Sequence, residues 1–167
     1  MTPRDDAALP PTLITRVRTS TLTMRWREAG LAGLAGFLTI YLLAEATATL
    51  GTILLIAPFG ASCVLVFALP QSPLAQPRNV IGGHVISTTL GLAVLSVMGA
   101  GPAALALSVG LAISAMSLTR TLHPPAGADP IVVIMAGASW HFLFVPVLAG
   151  AVATVLIAAL FLRWIAR

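Results

Sequence analysis

The residues able to do chemistry in this chain are few, and most crowd into "RTLHPPAGADP", residues 120–130, where an arginine, a histidine, three prolines, a glycine and an aspartate share eleven positions. His123 carries an imidazole, which titrates near neutrality and can give a proton to the conjugate base of a weak acid. It reads either as a proton donor or hydrogen-bond partner for a permeating anion, or as a group that satisfies the carbonyls of a broken helix. Asp129 followed by Pro130 has the form of a helix start: an N-cap side chain ahead of a proline at the first helical position, where the missing N–H costs nothing. A carboxylate beside an anion path repels the anion unless it is paired or protonated, which makes Arg120 its candidate partner. Arg120 and Arg78 also read as anchors under the positive-inside rule, whereas an arginine facing a cavity would draw anions in.

A second group lies on "NVIGGHVISTT". As a helix this stretch puts Asn79, Gly83 and Ser87 along one face, with His84 and Thr88 beside them. Such a stripe faces a bundle interior, either lining a pore or bonding to neighbouring helices. Gly82 and Gly83 read as close-packing positions. Glu45, deep in an apolar run, must be protonated, paired, near water or interfacial, and Trp140 and His141 read as interface residues. The three histidines, at 84, 123 and 141, match no close-spaced metal or haem motif. No glycine-rich nucleotide loop is present, and no serine or cysteine has a recognisable partner for nucleophilic catalysis. The reading is therefore a non-enzyme without a cofactor. A single cysteine, Cys63, permits no intramolecular disulfide.

The elements that must position these residues are membrane helices. With 58% hydrophobic and 8% charged residues and a mean hydropathy of +1.00, the chain has more apolar surface than a soluble domain of this length can cover. Between Ala29 and Leu162 the only formal charges are Glu45, Arg78, Arg120 and Asp129. A net charge of +4 invites a nucleic-acid reading, but all nine basic residues are arginines and seven lie near the chain ends, which fits membrane anchoring instead. The apolar run after "MRWREAG" is too long for a cleaved signal peptide. Residues 1–28 thus form a basic cytoplasmic segment and residues 29–163 a membrane domain.

About 20 apolar residues cross a bilayer, and four runs qualify, at roughly 29–48, 79–100, 103–122 and 141–163. Two shorter pieces, "CVLVFAL" (63–69) and "PIVVIMAG" (130–137), reach only about halfway at ~1.5 Å per residue. Residues 49–57 either prolong the first helix or turn back into the bilayer. "PFGASCVLVF" (58–67) aligns without gaps to "PAGADPIVVI" (125–134), an offset of 67 residues, which makes Ser62 the counterpart of Asp129 and suggests repeats over about 29–100 and 103–163. The expected fold is all-α: a polytopic transmembrane bundle of about four full spans plus two half-helices in two internal repeats. Pro124 and Pro125 stop the preceding helix and push His123 towards an extended conformation, while Gly60 and Gly127 sit where the backbone must turn or approach something closely. Irregular backbone at membrane depth needs protein or a water-filled cavity around it. Two breaks therefore imply a polar cavity, into which free N–H groups at the half-helix starts would project about half a positive charge each. The candidate anion-binding set is Phe59, Gly60, Ala61, Ser62, Asn79, His84, Arg120, His123, Pro124, Pro125, Gly127, Ala128 and Asp129.

"HPPAGADP" together with "SPLAQPRNVIGGH" (72–84) resembles the HPP family of small integral membrane proteins, over most of residues 29–163. Members are usually described with four transmembrane spans, and cyanobacterial and plastid relatives are implicated in nitrite transport. The resemblance implies a nitrite-translocating protein; the residues themselves leave open a channel or a proton-coupled transporter for a small anion, with a non-transporting scaffold or regulatory subunit as the alternative. The terminal arginines put both ends in the cytoplasm, with a bacterial inner membrane as the expected location. Counting both broken pieces as full crossings gives six spans with the same orientation of the ends. A bundle this small, rich in Gly and Ala, is expected to form a homo-oligomer.

Overall fold

The structure, a computed structural model, describes residues 26–165, so the basic segment expected over 1–28 lies almost wholly outside the described residues. Within them there are six helices and no strand: α1 (Trp26–Leu50), α2 (Ala57–Cys63), α3 (Pro77–Met98), α4 (Pro102–Leu118), α5 (Asp129–Ala136) and α6 (Ala149–Ile165). Wider π-type turns extend α2 through Val64–Ala68 and precede α6 over Leu143–Leu148, and a 3-10 turn, Pro124–Ala128, leads into α5. Three of the resulting rods are long and apolar enough to cross a membrane: Trp26–Leu50, Pro77–Met98 and Leu143–Ile165.

The expected third span over 103–122 is shorter than the sequence reading. α4 stops at Leu118 because Arg120 adopts a left-handed conformation, φ 57°. The Arg120 N–H then donates to the Ser117 carbonyl at 3.2 Å and the Thr121 N–H to the Met116 carbonyl at 2.9 Å, a pair that closes a helix end and usually employs glycine. α5 ends in the same way at Gly137, with φ 57°, through Ala138 N–H to Val133 at 3.0 Å. Residues 51–56 are neither a helix extension nor a separate piece; α1 ends at Leu50 and α2 begins at Ala57. Both short pieces start earlier than their apolar runs, spanning Ala57–Ala68 and Pro124–Ala136. The last rod is bent where Val145 leaves helical geometry at φ −135°, ψ 116°, as the residue before a proline tends to do.

Packing explains which faces are apolar. α1 buries only Ala35, Thr39 and Leu43, one stripe four residues apart, while Phe37, Tyr41 and Leu42 stand exposed, as suits a lipid-facing helix. Hydroxyls on these helices avoid the apolar surroundings by bonding inward: Thr39, Thr89, Ser96, Ser117 and Thr154 each donate to the carbonyl four residues back at 2.7–2.8 Å. α3 is the hub, packed against α4, α5 and α6. Its glycines make that possible. A Cβ on Gly91 would meet the Pro130 Cα at 2.8 Å, and one on Gly83 the His123 Cβ at 2.8 Å and the Thr121 carbonyl at 3.0 Å. Gly82 and Gly83 are close-packing positions, as the sequence suggested.

Candidate functional site

α3 and the stretch before the HPP turn are fastened side by side. Arg78, in the first turn of α3, donates from Nη2 to the Thr119 carbonyl at 2.8 Å, and Asn79 donates from Nδ2 to the Leu122 carbonyl at 2.9 Å. Gly82 and Gly83 leave room for Thr121 and His123 to lie directly on the helix. His123 is extended, φ −136°, ψ 99°, as a residue ahead of proline should be. It is fully buried, with Nδ1 2.8 Å from the Leu74 carbonyl. "SPLAQPRNVIGGH" is thus the cradle in which "TLHPP" lies.

Four side chains from four segments then form one continuous chain. Ser62 Oγ, from α2, lies 2.9 Å from His84 Nε2 and 2.9 Å from His123 Nε2. On its other side the His84 ring places Nδ1 2.7 Å from Asp129 Oδ2. Thr88 Oγ1 donates to the same oxygen at 3.4 Å. The order is Asp129, His84, Ser62, His123 and the Leu74 carbonyl, and all four side chains are 0% exposed. Phe59 closes one side, edge-on to His84 with ring centroids 5.2 Å apart, and the two imidazoles meet at 5.1 Å. Ser87 fixes the HPP turn by donating to the Ala126 carbonyl at 2.6 Å. Asp129 Oδ1, also buried, has no hydrogen-bond partner. The other described charges, Arg27, Glu28, Glu45, Arg78, Arg120 and Arg163, are exposed, so Asp129, His84 and His123, with the Cys63 thiol, are the buried ionisable groups among the described residues.

Of the candidate residues, the structure brings Ser62, His84, His123 and Asp129 together, and Phe59 borders them. Asn79 positions the loop. Four sequence readings need correction. Asp129 is not an N-cap: α5 follows the 3-10 turn without a break, Ala128 precedes it with no side-chain cap, and the carboxylate is turned to His84. Ser62 likewise lies within α2, where its hydroxyl sits 3.3 Å from the Pro58 carbonyl. Arg120 is exposed on α4's end and does not pair with Asp129. Gly60 and Gly127 have no positive φ and nothing within 4 Å of an added Cβ, so neither a tight turn nor a close approach requires them.

The polar cavity expected at the two breaks is not what lies between the short helices. The space between the short helices is an apolar groove of about 630 Å³, to which Ala61, Pro124, Pro125 and Ala128 contribute. Few N–H groups remain at the half-helix starts: Pro58, Pro124 and Pro125 have none, and those of Phe59 and Ala126 donate to the carbonyls of Ile56 and His123 at 3.0 Å. The Ser62–His84–Asp129 series was not visible in the sequence because its members are 22 and 45 residues apart on three elements.

The family model described as "HPP, transmembrane region" matches residues 21–167. A protein of Dictyostelium discoideum described as a transmembrane protein is 38% identical over 152 residues, covering 84% of this chain and 49% of its own length. A second Dictyostelium transmembrane protein is 41% identical over 112 residues, covering 62% of this chain and 39% of its own length. The chain thus spans less than half the length of these relatives. No solved structure matches it. With the HPP turn cradled against α3 and the match running from residue 21 to the last residue, this chain belongs to the HPP transmembrane family.

Proposed function

We propose that the protein carries a small monovalent anion, nitrite in the first instance, across a membrane, and that the Asp129–His84–Ser62–His123 chain is the functional centre of that pathway. One observation supports this above the rest: four polar side chains from α2, α3, the HPP turn and α5 are fully desolvated in one place, at the crossing of two interrupted helices. Polar groups at membrane depth are expensive and mark solute or proton pathways. The choice of nitrite rests on the family resemblance.

The same reading treats the two halves as repeats. Moving Ala57–Ala68 and Pro77–Met98 along by 67 residues superposes them on Pro124–Ala136 and Leu143–Ile165 to within a residue. Gly83 faces the Thr121 carbonyl and Gly150 faces the Leu54 carbonyl, and that offset relates glycine to glycine and carbonyl to carbonyl. Ser62 and Asp129, also 67 apart, approach opposite nitrogens of the one His84 ring. A bundle with three spanning rods is small to enclose a pathway, so copies are proposed to assemble, with both termini cytoplasmic.

A hydrolytic role does not suit the site, although serine, histidine and aspartate stand in the order of a nucleophilic triad. Ser62 Oγ already touches two imidazole nitrogens and the Pro58 carbonyl, leaving no open side for a substrate carbonyl. Flux of nitrite, nitrate, formate and chloride into liposomes, with protein-free liposomes subtracted at each pH, tests the transport reading. A folded, inserted protein that passes none of them would overturn it in favour of a membrane scaffold.

A further inference from the structure

The buried chain can be read proton by proton. A carbonyl only accepts, so His123 must donate to Leu74 from Nδ1, and a neutral His123 then offers only a lone pair at Nε2. If Asp129 is an ionised carboxylate, His84 must donate to it from Nδ1, and a neutral His84 also offers only a lone pair at Nε2. Both lone pairs would point at Ser62 Oγ from 2.9 Å. A hydroxyl has one hydrogen and can serve only one of them, with the Pro58 carbonyl at 3.3 Å as a further competitor. An ionised carboxylate with two neutral rings therefore leaves a buried contact with no hydrogen in it and carries an uncompensated negative charge.

Adding one proton repairs every contact, in three ways. The proton can sit on Asp129 Oδ2 and be donated to His84 Nδ1, so that His84 donates from Nε2 to Ser62 and Ser62 donates to His123. It can move to His84 Nδ1, making an imidazolium beside a carboxylate. Or His84 can pass its Nε2 proton to Ser62 Oγ while Ser62 passes its own hydrogen to His123 Nε2, which leaves His123 as the imidazolium and turns the hydroxyl back towards His84. Each arrangement is neutral overall and fills all four contacts. The titratable groups facing one another are Asp129 from α5, His84 from α3 and His123 ahead of the HPP turn; α2 contributes the non-titrating Ser62, α4 the uncharged Met116, and the charges on α1 and α6 are exposed.

We propose that Asp129, His84 and His123 together hold three protons, one more than an ionised carboxylate with two neutral rings, and that Ser62 relays the extra proton between the Asp129–His84 end and His123. Resting on the anion-pathway reading, this makes transport proton-coupled: an anion at the partly exposed Leu74 turn takes the Nδ1 proton of the doubly protonated His123 and crosses as its neutral acid, and the chain, left at charge −1, takes a proton back at the same nitrogen from water.

Histidine-ring nitrogen NMR and carboxyl vibrational spectra of the protein in bilayers, without any anion, test the proton count. The expected result at neutral pH is either one doubly protonated ring beside an ionised carboxylate, or singly protonated rings (His84 on Nε2, His123 on Nδ1) beside a protonated carboxyl. Two singly protonated rings with an ionised carboxylate would overturn it. Asp129→Asn should fold, because its amide can donate to His84 Nδ1, and should show two singly protonated rings; a doubly protonated ring surviving there would also count against the proposal. In liposomes showing protein-dependent flux, Asp129→Asn and Ser62→Ala should lose the component driven by a pH gradient, and retention of it by both would overturn the relay. If the unaltered protein passes no anion, the transport reading falls while the spectra still decide the proton count.

Discussion

The polar centre at His84 and the apolar cluster around Ala151 are the same part of the proposed repeat built twice with different chemistry. An offset of 67 residues relates His84 to Ala151 and Ile56 to His123. Ile56 and Ala151 both belong to one packed cluster with Leu43, Phe59 and Val147. Gly83 and Gly150 each admit a crossing carbonyl, while the side chains are imidazoles at one crossing, His84 with His123, and hydrocarbon at the other, Ala151 with Ile56. A scaffold that needs small residues at two crossings thus needs the polar groups at only one, which separates what the fold requires from what the site requires.

That separation breaks most visibly at the paired glycines. Gly150→Ala would put a Cβ 2.7 Å from Phe59 Cζ and 2.8 Å from the Leu54 carbonyl, with Phe59 fully buried and unable to swing out. Overpacking of this kind costs about 1–3 kcal/mol, measured by thermal unfolding in detergent. Gly83→Ala should cost a similar amount but also displace His123 directly, so the His123 ring signals should change more than in the Gly150 variant, which reaches only His84, through Phe59. Equal ring signals in both variants would mean the two crossings are not independent.

Next in size is removal of a polar partner. Asp129→Ala strands His84 Nδ1 in the interior, a loss of about 1–3 kcal/mol, whereas Asp129→Asn, which keeps a hydrogen bond, should lose less than half as much. Equal losses would show that the charge, and not the hydrogen bond, stabilises the centre. The smallest effect is expected at Gly60. Nothing lies within 4 Å of an added Cβ there, and relief of helical glycine should make Gly60→Ala more stable by about 0.5–1 kcal/mol. A clear loss of stability would restore a close-packing role to the residue.

Much of the fold was legible because its signals are local: apolar runs long enough to span, prolines that interrupt them, and an extended His123 forced by the proline after it. The end of α4 was not, because a left-handed Arg120 stands where the motif normally advertises itself with glycine. The members of the site were legible one at a time, as polar residues in an apolar chain, but their connections were not. Asp129 followed by proline reads locally as a cap, and only the approach of α3 offers it an imidazole instead. Gly60 and Gly127 misled for a related reason: a glycine shared by two aligned segments suggests a steric need, and the space around each shows none.

The clamp formed by Arg78, Asn79 and the two glycines of α3 has a mechanical consequence for the buried chain. His84 is on α3, and His123 is pinned to α3 and to the Leu74 turn beside it, so the two rings behave as fixed terminals mounted on one frame. Ser62 and Asp129 arrive on separate short helices and act as removable contacts, one between the terminals and one beyond them. A shift of α2 by little more than the length of a hydrogen bond would open the circuit at Ser62 while the histidines stayed where they are. A shift of α5 would disconnect Asp129 and leave the link between the rings closed.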